Sequence, residues 1–227
     1  MSERYHFSQI RVGEMPQPTE ETVLRRDIAG SMKSITEELV RMDASRDELA
    51  GYAAELAALA DRIRQHDKRD FPAMLGRLFQ GEASRQDLLD VLDFEILTGH
   101  STTLSLPLEL WLDGQMVRGK ANYGVPWQGP PGRVHGGVLA LTMDILLAKT
   151  QDFFPNLGMT GTLTLRYLAA TPLNTDVTLE ASVQRIEGRK LFCQGRVLVG
   201  ERVSVEASGV WISAGGDYQW KEEFKPQ

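Results

Sequence analysis

One carboxylate, Asp144, stands in the most apolar stretch of the chain, Gly136 to Ala148 (GGVLALTMDILLA), where no other residue is charged. A helix that is apolar all round is normally buried. Even a neutral polar group buried without a partner costs roughly 2–7 kcal/mol, and an unpaired carboxyl so placed is driven toward its protonated form. Something must offset that cost, and proton abstraction or direct attack on a carbonyl is chemistry that a carboxylate performs. Seven residues earlier lies Gly137, the second of a glycine pair that follows the stiff segment Gly129-Pro130-Pro131-Gly132-Arg133-Val134-His135. If a helix opens at this pair, its first backbone N–H groups lack intrahelical partners and sit at the positive end of the dipole, suited to an oxygen that becomes negative. Glycine there lets a carbonyl approach without meeting a Cβ.

The two groups cannot serve one carbon within a single helix. Seven residues place Gly137 and Asp144 on nearly the same face but about 10.5 Å apart. Two antiparallel copies of the helix, side by side, would bring Asp144 of one against Gly137 of the other. A shared site in an isologous dimer is therefore expected.

The elements that hold these residues divide the chain. Residues 1–95 read as a helical extension, 96–213 as a domain of strands around one helix, and 214–227 as a loose tail. Thr19 can cap a first helix that carries Val23, Leu24, Ile28, Met32, Ile35, Leu39 and Met42 near a period of 3.6. Ser45-Arg46-Asp47-Glu48 fits a capping box for a second helix with Leu49, Tyr52, Leu56, Leu59 and Ile63. The short break between them predicts an αα-hairpin. Its stripes serve as core contacts over the sheet, as subunit contacts, or as a module for a partner. Two further helical pieces fall at Pro72–Phe79 and Arg85–Leu92. From Leu104 the period changes to two, through Leu106, Leu108 and Leu110, and Val117–Tyr123 follows the Asp113-Gly114 turn. The apolar helix is expected to run to about Asp152. Thr160–Tyr167, Val177–Ile186, Leu191–Val199 and Val203–Ile212 then read as an antiparallel meander.

Composition sets outer limits. In 227 residues, 42% hydrophobic and 25% charged, a soluble globular protein is expected. The net charge of −6 argues against general nucleic-acid binding, though not against a local basic pocket for a few phosphates. Cys193 is the single cysteine, so no intrachain disulfide forms. The first residues lack an apolar leader, and no run of about 18 apolar residues spans a membrane. The cytoplasm is the expected compartment. His6, His66 and His100 show no metal-ligand spacing with one another or with Cys193, so no metal is expected. No G-x-S-x-G elbow supports a serine nucleophile.

Taken together, Gly-Pro-Pro-Gly-x-x-His-Gly-Gly, an Asp nine residues after the His, Thr-Gly-x-Leu-Thr-x-x-Tyr from Thr160 and Glu-Gly-Arg-Lys from Glu187 resemble the hotdog-fold acyl-CoA thioesterases. The subgroup is the phenylacetic-acid-pathway type, similar to the mammalian mitochondrial long-chain acyl-CoA members. The resemblance covers roughly residues 95–213. It implies an α+β hotdog fold, an antiparallel sheet wrapped around a central helix, here with an N-terminal helical extension. It implies hydrolysis of an acyl-CoA to free acid and CoA in a dimer or dimer of dimers, without a cofactor, coenzyme A being part of the substrate. Asp144 would be general base or nucleophile, and Gly137, with Gly136 beside it, the oxyanion donor. Thr160 would position the water or the acidic side chain. His135 reads as a structural or orienting residue rather than a proton carrier. Arg166, Arg189 and Lys190 would hold the phosphates of coenzyme A, or simply be solvated. Met143, Leu147, Phe153 and Phe154 are candidates to close the acyl groove. The alternative is a non-catalytic acyl-CoA-binding or sensing protein.

Overall fold

The computed structural model describes residues 17–95 and 97–226. His6 and the leader reading of the first residues lie outside them. Four helices come first: α1 (Glu20–Arg41), α2 (Arg46–Arg64), α3 (Phe71–Gln80) and α4 (Arg85–Asp93). Thr19 caps α1 by accepting from the Thr22 N–H, and Ser45 and Ser84 open α2 and α4 with full capping boxes. α3 and α4 enclose a small core of Met74, Leu78, Ala83, Leu88 and Val91.

Ion pairs fasten α1 to this unit. Arg26 forks onto Asp93 (2.7 and 2.8 Å), while Arg25 and Arg69 both reach Asp90. Arg77 holds Asp87, whose carboxyl falls to about 2 because that hydrogen bond and those from Ser84 outweigh burial. Burial pushes Asp93 up, but hydrogen bonds from Arg26 and Ser101 and the nearby positive charge hold it below the ordinary carboxylate range.

The expected αα-hairpin does not close. No residue of α2 is buried, and the apolar stripes of both helices stay uncovered.

The second part is a six-stranded antiparallel sheet with α5 (Gly136–Ala148) packed across it. Its strands are β1 (Leu108–Asp113), β2 (Met116–Asn122), β3 (Gly158–Tyr167), β4 (Asp176–Glu187), β5 (Lys190–Val199) and β6 (Arg202–Ser213), in the order β1-β2-β4-β5-β6-β3. The last four strands are thus not a simple meander. β4, β5 and β6 are consecutive neighbours, but β3 lies at the far edge beside β6 and the chain crosses back to set β4 against β2. The first strand begins at Leu108 rather than Leu104, directly after Pro107, whose missing N–H cannot join a ladder. Leu139, Met143, Leu146 and Leu147 of α5 bury against Val177, Leu179, Leu191, Cys193, Val205 and Trp211. Each such side chain contributes about 1.5–3 kcal/mol through its removal from water.

α5 stops at Ala148 and tightens into a 3-10 turn, Lys149–Phe153, short of the expected end at Asp152. The tail is not loose. Tyr218 is buried and donates to Gln151 (2.8 Å), and Trp220 packs at a tilt against Phe154, ring centroids 4.6 Å apart. Aromatic burial at these positions outweighs the flexibility suggested by Gly215-Gly216.

Candidate active site

α5 is apolar in sequence yet covered on one side only. Leu139, Thr142, Met143, Leu146 and Leu147 face the sheet, and the spacing 4-3-4 of Gly137, Leu141, Asp144 and Ala148 defines a face left open in the single chain. Asp144 is therefore half-buried, not enclosed in hydrocarbon as its sequence neighbours suggested. Its Oδ1 accepts from the Thr160 hydroxyl at 3.0 Å. The other threonine near it in sequence, Thr142, turns inward to the Tyr123 hydroxyl (2.6 Å) and the Val138 carbonyl (3.0 Å). Burial pushes the Tyr123 phenol up to about 12.

Thr160 reaches Asp144 because of a β-bulge. Thr160 pairs with Trp211 and Thr162 with Val210, so Gly161 is an extra residue between them. Thr160 and Tyr167, of opposite parity, then both face the helix. The Tyr167 hydroxyl donates to the Gly136 carbonyl at 2.9 Å. Sequence reasoning quoted Tyr167 within a motif but gave it no task; an odd offset between two helix-facing residues of one strand was the signal.

At the helix start, His135 is the N-cap, and its Nδ1 accepts from the Gly137 N–H at 3.0 Å. The imidazole is thus in the tautomer that carries its proton on Nε2. This contact engages the very donor that the sequence reading assigns to an oxyanion. A Cβ on Gly137 would lie 3.1 Å from that nitrogen, and one on Gly129 would lie 2.8 Å from the His135 Cα. Both glycines let the loop fold tightly onto its own cap.

The basic residues do not form one cluster in a single chain. Arg166 and Lys190 pair with Glu206 and Ile212 of β6, six residues or roughly 20 Å apart. Both lie on the face of the sheet away from α5, Arg166 beside Glu206 at 3.6 Å in a shallow groove. The guanidinium of Arg189 donates twice to the Ser213 carbonyl (2.9 and 2.6 Å), closing the end of the sheet.

A cleft of about 960 Å³ opens beside Asp144. Ile145 and Ala148 of α5, Leu108 and Leu110 of β1, and Leu92 and Leu97 before β1 give it apolar walls, and both basic (Arg26, Lys149) and acidic (Asp93, Glu109, Asp152) side chains line it too. The residues expected to close a groove do not reach it: Met143, Leu147, Phe153 and Phe154 are buried in the sheet-side core. Leu92 and Leu97 went unnoticed because no local pattern says that the helical unit folds back beside α5. Among the described residues no group of histidine, cysteine or carboxylate side chains could hold a metal ion.

The structure overlays on a crystal structure of a thioesterase superfamily protein with a TM-score of 0.69 and 28% identity, covering 87% of this chain and 96% of that one. The chain has the hotdog fold of that thioesterase superfamily protein. The overlay exceeds the extent of the hotdog domain, so the neighbour shares much of the helical extension too. In sequence, the chain is 34% identical over 87 residues to the acyl-coenzyme A thioesterase THEM4 of Xenopus laevis, 37% of this chain and 39% of that one. It is 33% identical over 88 residues to the acyl-coenzyme A thioesterase THEM5 of Homo sapiens, 37% and 35% of the two chains. The chain thus spans about two fifths or less of the length of these curated relatives. No protein-family profile matches it.

Proposed function

We propose that this chain is an acyl-CoA thioesterase of the phenylacetic-acid-pathway type that hydrolyses its substrate between two subunits, in the cytoplasm. The observation that carries the reading is the Thr160–Asp144 hydrogen bond at the lip of a cleft with leucine-rich walls, on the open face of a helix whose other end presents Gly137. Two copies of that face, packed antiparallel about a two-fold axis, set Asp144 of one against Gly137 of the other. Asp144 removes a proton from water, or attacks the thioester carbon itself. The N–H of Gly137 receives the developing oxyanion as His135 Nδ1 yields it, and Thr160 fixes the carboxylate. The acyl chain runs into the cleft between α5 and Leu97. Lys190 is exposed and available to a phosphate from its place on the sheet.

Thiol release from a panel of short, long and aromatic acyl-CoAs tests this reading. Turnover by the wild type and a loss of about 10²–10⁴-fold in Asp144→Asn are expected; equal rates for the two proteins would refute the assignment. One observation favours a second reading. With its N–H already satisfied by His135, Gly137 suits a protein that binds acyl-CoA without cleaving it. Tight binding by calorimetry with no thiol released would select that alternative.

A further inference from the structure

α1 and α2 carry an apolar surface that the catalytic reading does not use. One face of α1, with Thr22, Arg26, Ala29 and Lys33, meets the body of the protein through burial, the Asp93 pair and a bond from Lys33 to Ser105 (2.6 Å). The opposite face carries Ile28, Met32, Ile35, Leu39 and then Met42, spaced 4-3-4-3. On α2 the stripe is Leu49, Tyr52, Leu56, Leu59 and Ile63, spaced 3-4-3-4. Apart from Met42, every one of these side chains is 42–60% exposed. Half-exposed side chains in this number offer on the order of 800 Å² per chain, the size of one side of a stable interface. Monomers rarely show so large an apolar patch. A 19-residue helix with no buried residue is also marginal by itself.

The two stripes fit each other. Run in opposite directions their spacings are identical, so an antiparallel alignment stacks Ile28 on Ile63, Met32 on Leu59, Ile35 on Leu56, Leu39 on Tyr52 and Met42 on Leu49. Each layer joins an a-type to a d-type heptad position, as antiparallel packing requires. The same alignment sets Ser31 beside Arg62. Its one like-charged neighbour pair, Glu38 and Glu55, falls at the solvated rim. Within one chain the backbone is extended at Met42 (ψ 140°) and Ser45 (ψ 159°), and both stripes remain open. We propose that the occupant is a second copy: α2 of one chain lies antiparallel on α1 of another, and the exchange is reciprocal. Such a two-fold swap covers both stripes at once and leaves no free end for further growth. The proposal is independent of the catalytic reading.

Paired cysteines test it. The only natural thiol, Cys193, is buried and pushed up to about 12, so it stays unmodified in the folded protein. Ile35→Cys/Leu56→Cys protein treated with a short bis-maleimide should run as a covalent dimer on a denaturing gel, and neither single variant should do so. A cross-linked monomer would mean that the hairpin closes on itself. Dimer from Leu56→Cys alone would mean that α2 meets α2, and the absence of any cross-link would mean that the stripes serve a different protein; each of these overturns the proposal. Should that variant misfold by circular dichroism, Ile28→Cys/Ile63→Cys probes another layer of the same register with the same outcomes.

Discussion

In the proposed reaction Asp144, Thr160 and His135 divide three tasks that a sequence can name but not arrange. Removing the Thr160 hydroxyl leaves the carboxylate in place but free to rotate. Thr160→Val should lower kcat about 5–100-fold with little change in KM, the worth of one hydrogen bond to a charged group; an unchanged kcat in steady-state thiol release would make Thr160 an ordinary strand residue. His135→Ala removes a helix cap, worth about 0.5–2 kcal/mol, so the melting temperature should fall by a few degrees. Because the same change frees the Gly137 N–H, kcat should survive within about tenfold despite the loss of stability. A collapse of kcat in otherwise folded protein would instead make the imidazole a proton carrier. These side chains stand out in the sequence because the chemistry of acyl transfer restricts residue type. The burial of Asp144 was not, because an all-apolar helix in a single chain and one at a subunit contact have the same composition.

Strand and helix positions followed from period, caps and turns, and the capping boxes at Ser45 and Ser84 show how local that information is. The order of strands did not follow. Nothing local to Thr160–Tyr167 says that this strand pairs with β6, its partner some forty-five residues onward, rather than with β4. The attachment of α1 to α4 was equally hidden, since Arg26 and Asp93 lie 67 residues apart. The helical unit and its attachment to α1 are both sensitive to acid, through Asp87 with Arg77 and Asp93 with Arg26. Asp87 and Asp93 both titrate lower in the folded protein than in the unfolded chain, so the stability they contribute is complete above pH ~4 and is lost as the pH falls through their folded values, about 2 for Asp87. Circular dichroism should show the helical extension melting between pH 4 and 2, and Asp87→Asn protein should show a smaller acid-induced loss of melting temperature over that range. A melting temperature equally steep in pH for the two proteins would remove Asp87 from the account.

In the folded chain, the helical unit and the sheet enclose one cleft between them, and this joins a question of specificity to the extension. If acyl chains lie against Leu97, enlarging that side chain shortens the space available. Leu97→Trp should reduce kcat/KM for long-chain substrates at least tenfold relative to short ones while sparing the short-chain kcat. Parallel loss across all chain lengths would mean that the extension supports the fold alone. Among the described residues no helix is long and apolar enough to cross a membrane.

The extra residue at Gly161 has a consequence for how this chain tolerates insertion and deletion. It acts as a phase shift in an alternating pattern, and the two halves of the strand keep step with the helix only while it is there. Excising that single glycine would leave every other amino acid unchanged, yet either the threonine would swing to the outer surface or the tyrosine would lose its hold on the helix start. A length change of one at this place would therefore part the Thr160–Asp144 contact from the Tyr167–Gly136 contact, which most point substitutions leave together.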